Sequence, residues 1–313
     1  MSMAQTTTPE RAASDGLADP AAPATAPVAA TGLGAFWRQI RYVAASNPVT
    51  GLSFLLFVLL LLAAIVGPSL VPYDPLASDT AAALQPPSWR HWFGTDQIGR
   101  DIFSRVVVAT RLDMTIAIAS VALVFALGGF AGLVSGFFGG WVDQVVGRIS
   151  DTIMAFPLFV LAMGIVAALG NNVTNIVIAT AVINFPLYAR LARSETTVRK
   201  NVGFVQAARL TGNSEMRILL GQILPNLLPI MIVQMSLTMG YAILNAAGLS
   251  FIGLGVRPPT PEWGIMVAEG AAFIVSGEWW IALFPGLALM LAVFCFNLLG
   301  DGLRDVVDPQ RRT

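Results

Sequence analysis

Charge is what this sequence has least of. Only 12% of its 313 residues are Asp, Glu, Lys or Arg, about half the share carried by a soluble domain. With 56% hydrophobic residues and a mean hydropathy of +0.72, a water-facing surface could not be covered. That excludes a soluble globular enzyme and points to a chain that crosses a membrane several times.

Cysteine, histidine and lysine are nearly absent. Cys295, the one cysteine, stands in an apolar run, so neither an internal disulfide nor a cysteine cluster for zinc or iron–sulfur can form. His91 is the one histidine, which excludes paired-histidine metal sites. The one lysine, Lys200, is followed by Asn201. A Gly-Lys-Ser/Thr phosphate loop therefore has no place here, and no ATP site is expected in this chain. The 18 basic and 18 acidic residues cancel, leaving no excess charge to neutralise a nucleic-acid backbone, so no nucleic-acid partner is expected.

Long charge-free runs are what the sequence does have. A bilayer core of about 30 Å takes about 20 helical residues. Gly51–Val71 and Met114–Val142 are two such runs, and Thr152–Ala189 is a pair broken at Gly170-Asn171-Asn172. Leu227–Ala247 and Trp279–Gly300 complete the set. The expected fold is all-α and integral to the membrane, with six transmembrane helices. A shorter apolar patch, Gly270–Gly277, is expected at the interface or re-entrant. Residues 1–35, rich in Ala, Thr and Pro, are expected to be a disordered tail. Residues 36–111 then form an N-terminal region with the first span and an outer amphipathic helix, 112–303 the transmembrane core, and 304–313 a terminal tail.

With the N-terminus inside, 13 Lys and Arg fall on the cytoplasmic side against 5 outside, so both termini are expected in the cytoplasm. Residues 190–226 form the longest and most basic inner segment. Its first part reads as one helix stopping at Gly212, with Gly212 as a left-handed cap. Asn213 or Ser214 can cap a second helix with Glu215 in its first turn. Pro225 and Pro229 fix or kink the start of the next span. Local chemistry alone fits an ordinary capped connector as well as a docking element.

Elsewhere, Asp96–Arg100 and Asp101–Arg105 stand at i,i+4 spacing, and Ile98, Ile102 and Val106 make an apolar face. They predict an amphipathic helix with solvated, self-paired charges leading into the second span. Gly128, Gly132, Gly136 and Gly140 repeat every four residues, a stripe for close backbone approach within the bundle or to a second subunit. The outer segment 257–280 carries Pro258, Pro259, Pro261 and Trp263, with Glu262, Glu269 and Glu278 expected in solvent. Asn184, Gln234, Asn245 and Asn297 are the polar residues deep in spans, candidates for a translocation path because an amide facing lipid is costly.

Four blocks carry a family resemblance. Gln206-Ala207-Ala208, Gly212 and Leu224-Pro225 resemble the EAA loop of ABC-transporter permeases, with Gln206 in place of Glu and Gln222 in place of Ile. The run from Phe93 to Arg105, holding Gly94, Thr95, Asp96, Gly99, Arg100, Asp101 and Arg105, resembles the FGTDxxGRDxxSR signature of the dipeptide/oligopeptide (nickel) importer group, in its C-type subunit. Leu249 to Gly264 and Asn297 to Pro309 resemble two further segments of that subunit.

The resemblance implies the ABC type I importer permease fold and a non-catalytic, pore-forming subunit in a bacterial cytoplasmic (inner) membrane. It implies coupling to the ATPase through Gln206, Ala207, Ala208, Gly212, Leu224 and Pro225. The partners it implies are a homologous sister permease, two ABC ATPase subunits that bind the ATP and Mg, an extracytoplasmic substrate-binding protein, and membrane lipid. Cargo across the group spans dipeptides, oligopeptides, glutathione, nickel complexes and other small solutes. The alternative, an autonomous secondary carrier or channel, needs buried ion-coupling groups or an inverted repeat, and neither is visible.

Overall fold

The computed structural model describes residues 48–307. The tail expected at 1–35 and the end of the 304–313 segment lie outside these residues. Among the described residues all regular structure is helical, apart from one isolated bridge between Thr95 and Asp101. Five helices are long and apolar enough to cross a bilayer, and a bent pair makes a sixth crossing if taken as one span.

Helix α1 (Pro48–Leu70) is apolar on all sides, and Leu55, Leu59 and Leu62 are half or more exposed, as befits a lipid-facing span. Helix α2 runs from Ile102 to Phe138. Its 37 residues would reach about 55 Å, well beyond the hydrocarbon core. A wide turn of π geometry at Phe125–Gly129 interrupts it. Gly139 and Gly140, both at positive φ, end α2 short of the expected Val142.

The chain then turns into α3 (Gly140–Met154) and α4 (Leu158–Leu169), which meet at 91°. Pro157 stands at the break, where its ring and missing N–H stop a helix from continuing. The sequence placed one helix across this point. Instead α4 has 12 residues, about 18 Å of rise. The expected interruption at Gly170–Asn172 is present: Gly170 has φ +99°, and Asn172 caps α5 (Val173–Arg199) by accepting from the Asn175 N–H at 2.8 Å.

After α5 come α6 (Gly203–Leu210), α7 (Glu215–Phe251), the short outer helix α8 (Trp263–Ala271) and α9 (Trp280–Val307). In α7 a second π turn at Leu219–Ile223 precedes Pro225 and Pro229, which lack the N–H a regular ladder needs there.

Three apolar clusters hold these helices together. The outer one joins α1, α2, α8 and α9 through Ile102, Val106, Trp263 and Phe296. The inner one joins the ends of α2, α5, α6 and α7 through Phe137, Tyr188, Val205 and Ile223. The third joins α2, α4, α5 and α7 through Ile116, Ala162, Ile176 and Leu249.

The glycine stripe is consumed inside the bundle. A Cβ at Gly132 would stand 2.2 Å from the Ala189 carbonyl oxygen, and one at Gly136 2.6 Å from that of Arg193. Gly128 meets the Phe185 carbonyl oxygen at 3.1 Å in the same sense. The backbones of α2 and α5 therefore approach closely, with the β-carbons of Tyr188, Ala192 and Thr196 packed beside the glycines. Gly140 has left the stripe and faces open space.

Candidate functional site

The inner segment is a helix–turn–helix, with one departure from expectation. Its first part is not a single helix to Gly212: α5 stops at Arg199, Lys200–Val202 form a turn, and α6 begins at Gly203. Val205 and Ala208 face the bundle, fully or almost fully buried, while Gln206 and Ala207 face out. Phe204 and Leu210 are also exposed, Leu210 at 89%. The outward face thus mixes Phe204, Ala207 and Leu210 with the polar Gln206, whose side chain donates to the Asn201 carbonyl at 3.2 Å.

Gly212 takes the left-handed conformation expected of it, φ +78°. The Ala208 carbonyl left free there accepts from the Asn213 backbone N–H (3.2 Å) and its Nδ2 (3.1 Å). Ser214 caps α7 by accepting from the Arg217 N–H. Across the turn Arg209 donates to both Glu215 oxygens at 3.1 Å, and its guanidinium lies 5.7 Å from the Phe137 ring centre. Leu224 is half-buried and Pro225 exposed, directly after the π segment of α7.

Two ion pairs join α3 to α5 on this side: Arg190 with Asp151 at 2.8 Å, and Arg193 with Asp143.

The polar residues of the spans fall into different settings. Gln234 and Asn245 share one face of α7 with Thr238 and Tyr241, at offsets of 4, 7 and 11 residues. Gln234 Nε2 donates to Thr238 Oγ1 at 3.2 Å, and Thr238 Oγ1 to the Gln234 carbonyl at 2.8 Å. Tyr241, which the sequence reading passed over, is 61% exposed on this face. Asn184 is half-buried on α5 and donates to the Thr180 carbonyl at 2.8 Å. Asn297 is exposed on α9, bonded to the Val293 carbonyl at 3.0 Å. It sits beside Gly240 of α7, where a Cβ would lie 3.7 Å from its Nδ2.

The outer motif overturns the amphipathic-helix expectation. Gly94 and Gly99 have φ +75° and +81°, and residues between them form a tight loop rather than a helix. At Gly99 a Cβ would lie 1.8 Å from the Asp79 carbonyl oxygen. The helix begins only at Ile102, where Asp101 caps it by accepting from the Ser104 N–H at 2.8 Å.

Nor are the charges solvated: Asp96, Arg100, Asp101 and Arg105 are all at most 3% exposed. Asp96 pairs with Arg100 at 2.5 Å and accepts from the Ile98 and Arg100 N–H groups. Asp101 turns away from Arg105 to His91 Nδ1 at 2.9 Å. Arg105 and Arg100 both reach Glu269 of α8 at 3.3 Å. Thr95 Oγ1 donates to the Ala82 carbonyl, and Trp280 Nε1 to the Thr95 carbonyl at 3.2 Å. The motif is a buried staple between the outer loop, α2, α8 and α9, since buried charges persist only when paired.

Glu262 and Glu269, expected in solvent, belong to the interior too. Glu262 is fully buried and caps α8 by accepting from the Gly264 and Ile265 N–H groups at 2.9 and 2.8 Å. Burial pushes its carboxyl above the usual range, against the lowering effect of those two bonds. No local signal marks this burial, because it is α2 that closes over the first turn of α8, where Asp113 meets the Trp263 N–H.

A bundle of apolar spans and broken helices, with a short helix presenting an exposed face at one end, defines an integral membrane protein of the transport class. Residues 128–313 match the family described as the binding-protein-dependent transport system inner membrane component, and residues 35–87 match the N-terminal TM domain of oligopeptide transport permease C. The chain belongs to this family: it is the permease subunit of a bacterial ABC importer.

Its relatives agree over nearly their whole length. A probable D,D-dipeptide transport system permease protein of Escherichia coli (strain K12) is 43% identical over 272 residues, 87% of this chain and 91% of that one. A dipeptide transport system permease protein of Alkalihalophilus pseudofirmus is 40% identical, covering 88% and 91%. A glutathione transport system permease protein of Pectobacterium atrosepticum is 42% identical, covering 89% and 91%. The chain is a non-catalytic component, and ATP hydrolysis resides in a separate subunit. It works in the bacterial inner membrane alongside ATPase and substrate-binding components.

Proposed function

We propose that this permease carries dipeptides, short oligopeptides or peptide-like solutes such as glutathione inward. The relatives of similar length are named for D,D-dipeptides, dipeptides and glutathione, which share a small peptide backbone. A path without ionised side chains suits such cargo. The amides of Asn184, Gln234, Asn245 and Asn297, with the Tyr241 hydroxyl, offer neutral donors and acceptors to peptide groups and leave charge recognition to the binding protein.

In this reading the segment 190–226 is the coupling element. Gln206, Ala207, Ala208 and Gly212 present the helix and turn to an ATPase groove, and Leu224-Pro225 fix how the chain re-enters the bilayer. Two ATPase subunits closing on ATP move this element and a counterpart on a homologous sister permease, switching the spans from inward- to outward-open. Residues 36–111 and 112–303 act as N-terminal region and core, and both termini lie in the cytoplasm. The outer motif from Gly94 to Arg105 braces the surface beneath the docked binding protein.

One observation carries this reading: α6 buries Val205 and Ala208 against the inner ends of α2, α5 and α7 while leaving Ala207 and an 89% exposed Leu210 uncovered. Phe204, Ala207 and Leu210 together leave apolar surface beside Gln206 for a partner to cover.

The test is affinity purification of the tagged chain in mild detergent, with partners identified by mass spectrometry. Recovery of two ATPases, a second permease and a binding protein holding a peptide is the expected result. A chain recovered alone, stable and monodisperse, supports an autonomous carrier instead.

A further inference from the structure

We propose that Asp113 and Glu262 form a proton-binding site: the two carboxyls share a single proton that joins the N-terminus of α8 to α2. The site lies on the outer side, apart from the coupling segment, and does not depend on which solute is carried.

Both side chains are buried, Asp113 at 1% and Glu262 at 0% exposure. They meet at the first turn of α8, where three backbone N–H groups lack intrahelical partners. Asp113 Oδ2 accepts from the Trp263 N–H at 3.2 Å, and Glu262 accepts from Gly264 and Ile265. These N–H groups are consecutive in the first turn of α8, so the two carboxyls stand at one helix end. No N–H or O–H of the protein reaches Asp113 Oδ1, which is fully buried.

A carboxylate only accepts hydrogen bonds. Two buried carboxyls at consecutive N–H groups of one helix turn, with no cation beside them, are accommodated when one of them keeps its proton. Two bare carboxylates so placed inside a low-dielectric interior would repel strongly. The partial positive charge of a nine-residue helix can hold one negative charge, not two.

No nearby cation offers another solution. The charged groups on the elements around the pair are Arg105 and Arg111 of α2, Glu269 of α8 and Arg257 of the connecting loop. Arg105 is engaged with Glu269 and Asp96, and Arg111 and Arg257 are exposed. Helix α7 has its charges, Glu215 and Arg217, in its first turn at the opposite end from Ser250. Neither acid forms an ion pair among the described residues.

The sign of the pH dependence follows. The folded chain holds a proton that two exposed acids release at about pH 4. The stabilisation is full below that range and is lost as the pH rises through the value of the folded pair. Asp113→Asn replaces the protonated acid with an amide of the same shape, which donates from Nδ2 to Glu262 and accepts from Trp263 through Oδ1.

The test is infrared spectroscopy of the purified transporter at neutral pH, wild type against Asp113→Asn, together with thermal unfolding across a pH series. The expected wild-type spectrum has the carbonyl stretch of a buried protonated carboxyl, and the variant lacks it. The thermal midpoint of the variant lacks the decline that wild type displays as the pH is raised from about 4. Should Asp113→Asn fail to insert, Glu262→Gln removes the same band by giving Asp113 an amide donor. A wild-type spectrum without that carbonyl stretch, or one in which both variants retain it, overturns the proposal.

Discussion

Lys200 Nζ donates to the Gly136 carbonyl oxygen at 3.0 Å, tying the residue where α5 gives way to the turn before α6 to the last turn of α2. Arg209 of α6 adds a second cation beside the same helix end, over the Phe137 ring. Helix C-termini carry free carbonyls and partial negative charge, so both contacts run with the dipole of α2. The segment proposed to meet the ATPase is thereby fastened to a span with which it is not continuous in sequence.

Lys200→Met removes one of these fastenings. A cation at a helix C-terminus is worth about 0.3–1 kcal/mol, so uptake per inserted molecule should fall about two- to fivefold at unchanged membrane abundance. Quantitative immunoblotting alongside uptake of a labelled dipeptide measures both quantities. Unchanged uptake would mean that the contact transmits nothing.

Gly212→Val should abolish uptake and leave insertion intact. A Cβ at Gly212 meets no atom within 4 Å, so the penalty is conformational: about 1–2 kcal/mol for an L-residue in the left-handed region, and more for a β-branched one. Gly212→Asn is the matched control, because asparagine tolerates that region, and it should keep most activity.

Gly132→Val drives a side chain into the Ala189 carbonyl and must separate α2 from α5. Overpacking of this kind costs about 1–3 kcal/mol, which should appear as a lower thermal midpoint in detergent. Gly147→Ala in α3, where a Cβ meets nothing within 4 Å, should leave the midpoint unchanged or slightly higher.

Glu269→Gln leaves Arg100 and Arg105 short of a counter-charge in the outer staple. Removing one partner of a buried pair costs about 3–5 kcal/mol, and the 18% exposure of the Glu269 side chain places the loss at the lower end. Thermal unfolding should reveal it, with Glu278→Gln, at a half-buried loop position, as the neutral comparison.

Tyr241→Ala tests the proposed path. It should raise the half-saturating peptide concentration for uptake or lower its maximum, without changing thermal stability, because the side chain is exposed within the subunit. Loss of stability with unchanged uptake would assign Tyr241 to packing against a neighbour.

Spans and turns were legible wherever one local signal decided the outcome. The charge-free runs located the crossings, Gly170-Asn171-Asn172 marked its break, and Gly212 and Ser214 announced a cap. What stayed hidden were decisions made by partners distant in sequence. Asp96–Arg100 reads as helical spacing, yet Gly99 is held in a loop by the Asp79 backbone. Asp101 passes over Arg105 for His91. Glu262 and Glu269 look like loop acids until α2 is placed against them. Of the candidate site, the inner helix and turn were readable, whereas Tyr241 was masked because a tyrosine in an apolar run resembles any other core aromatic.

The glycine contacts between α2 and α5 also have a mechanical meaning. Side chains between helices act as bearings, since rotamer changes let one rod roll past another. Where carbonyl oxygens stand against the glycine Cα positions at Gly132 and Gly136, there is little room for such a bearing. The two helices form a strut over these turns, which can tilt as one body and hardly twist internally. A push delivered at Lys200 or Arg209 would then be carried along the strut almost undiminished, and compliance must come from the places where the ladder is already irregular: the π turns at Phe125–Gly129 and Leu219–Ile223 and the right-angled break at Pro157.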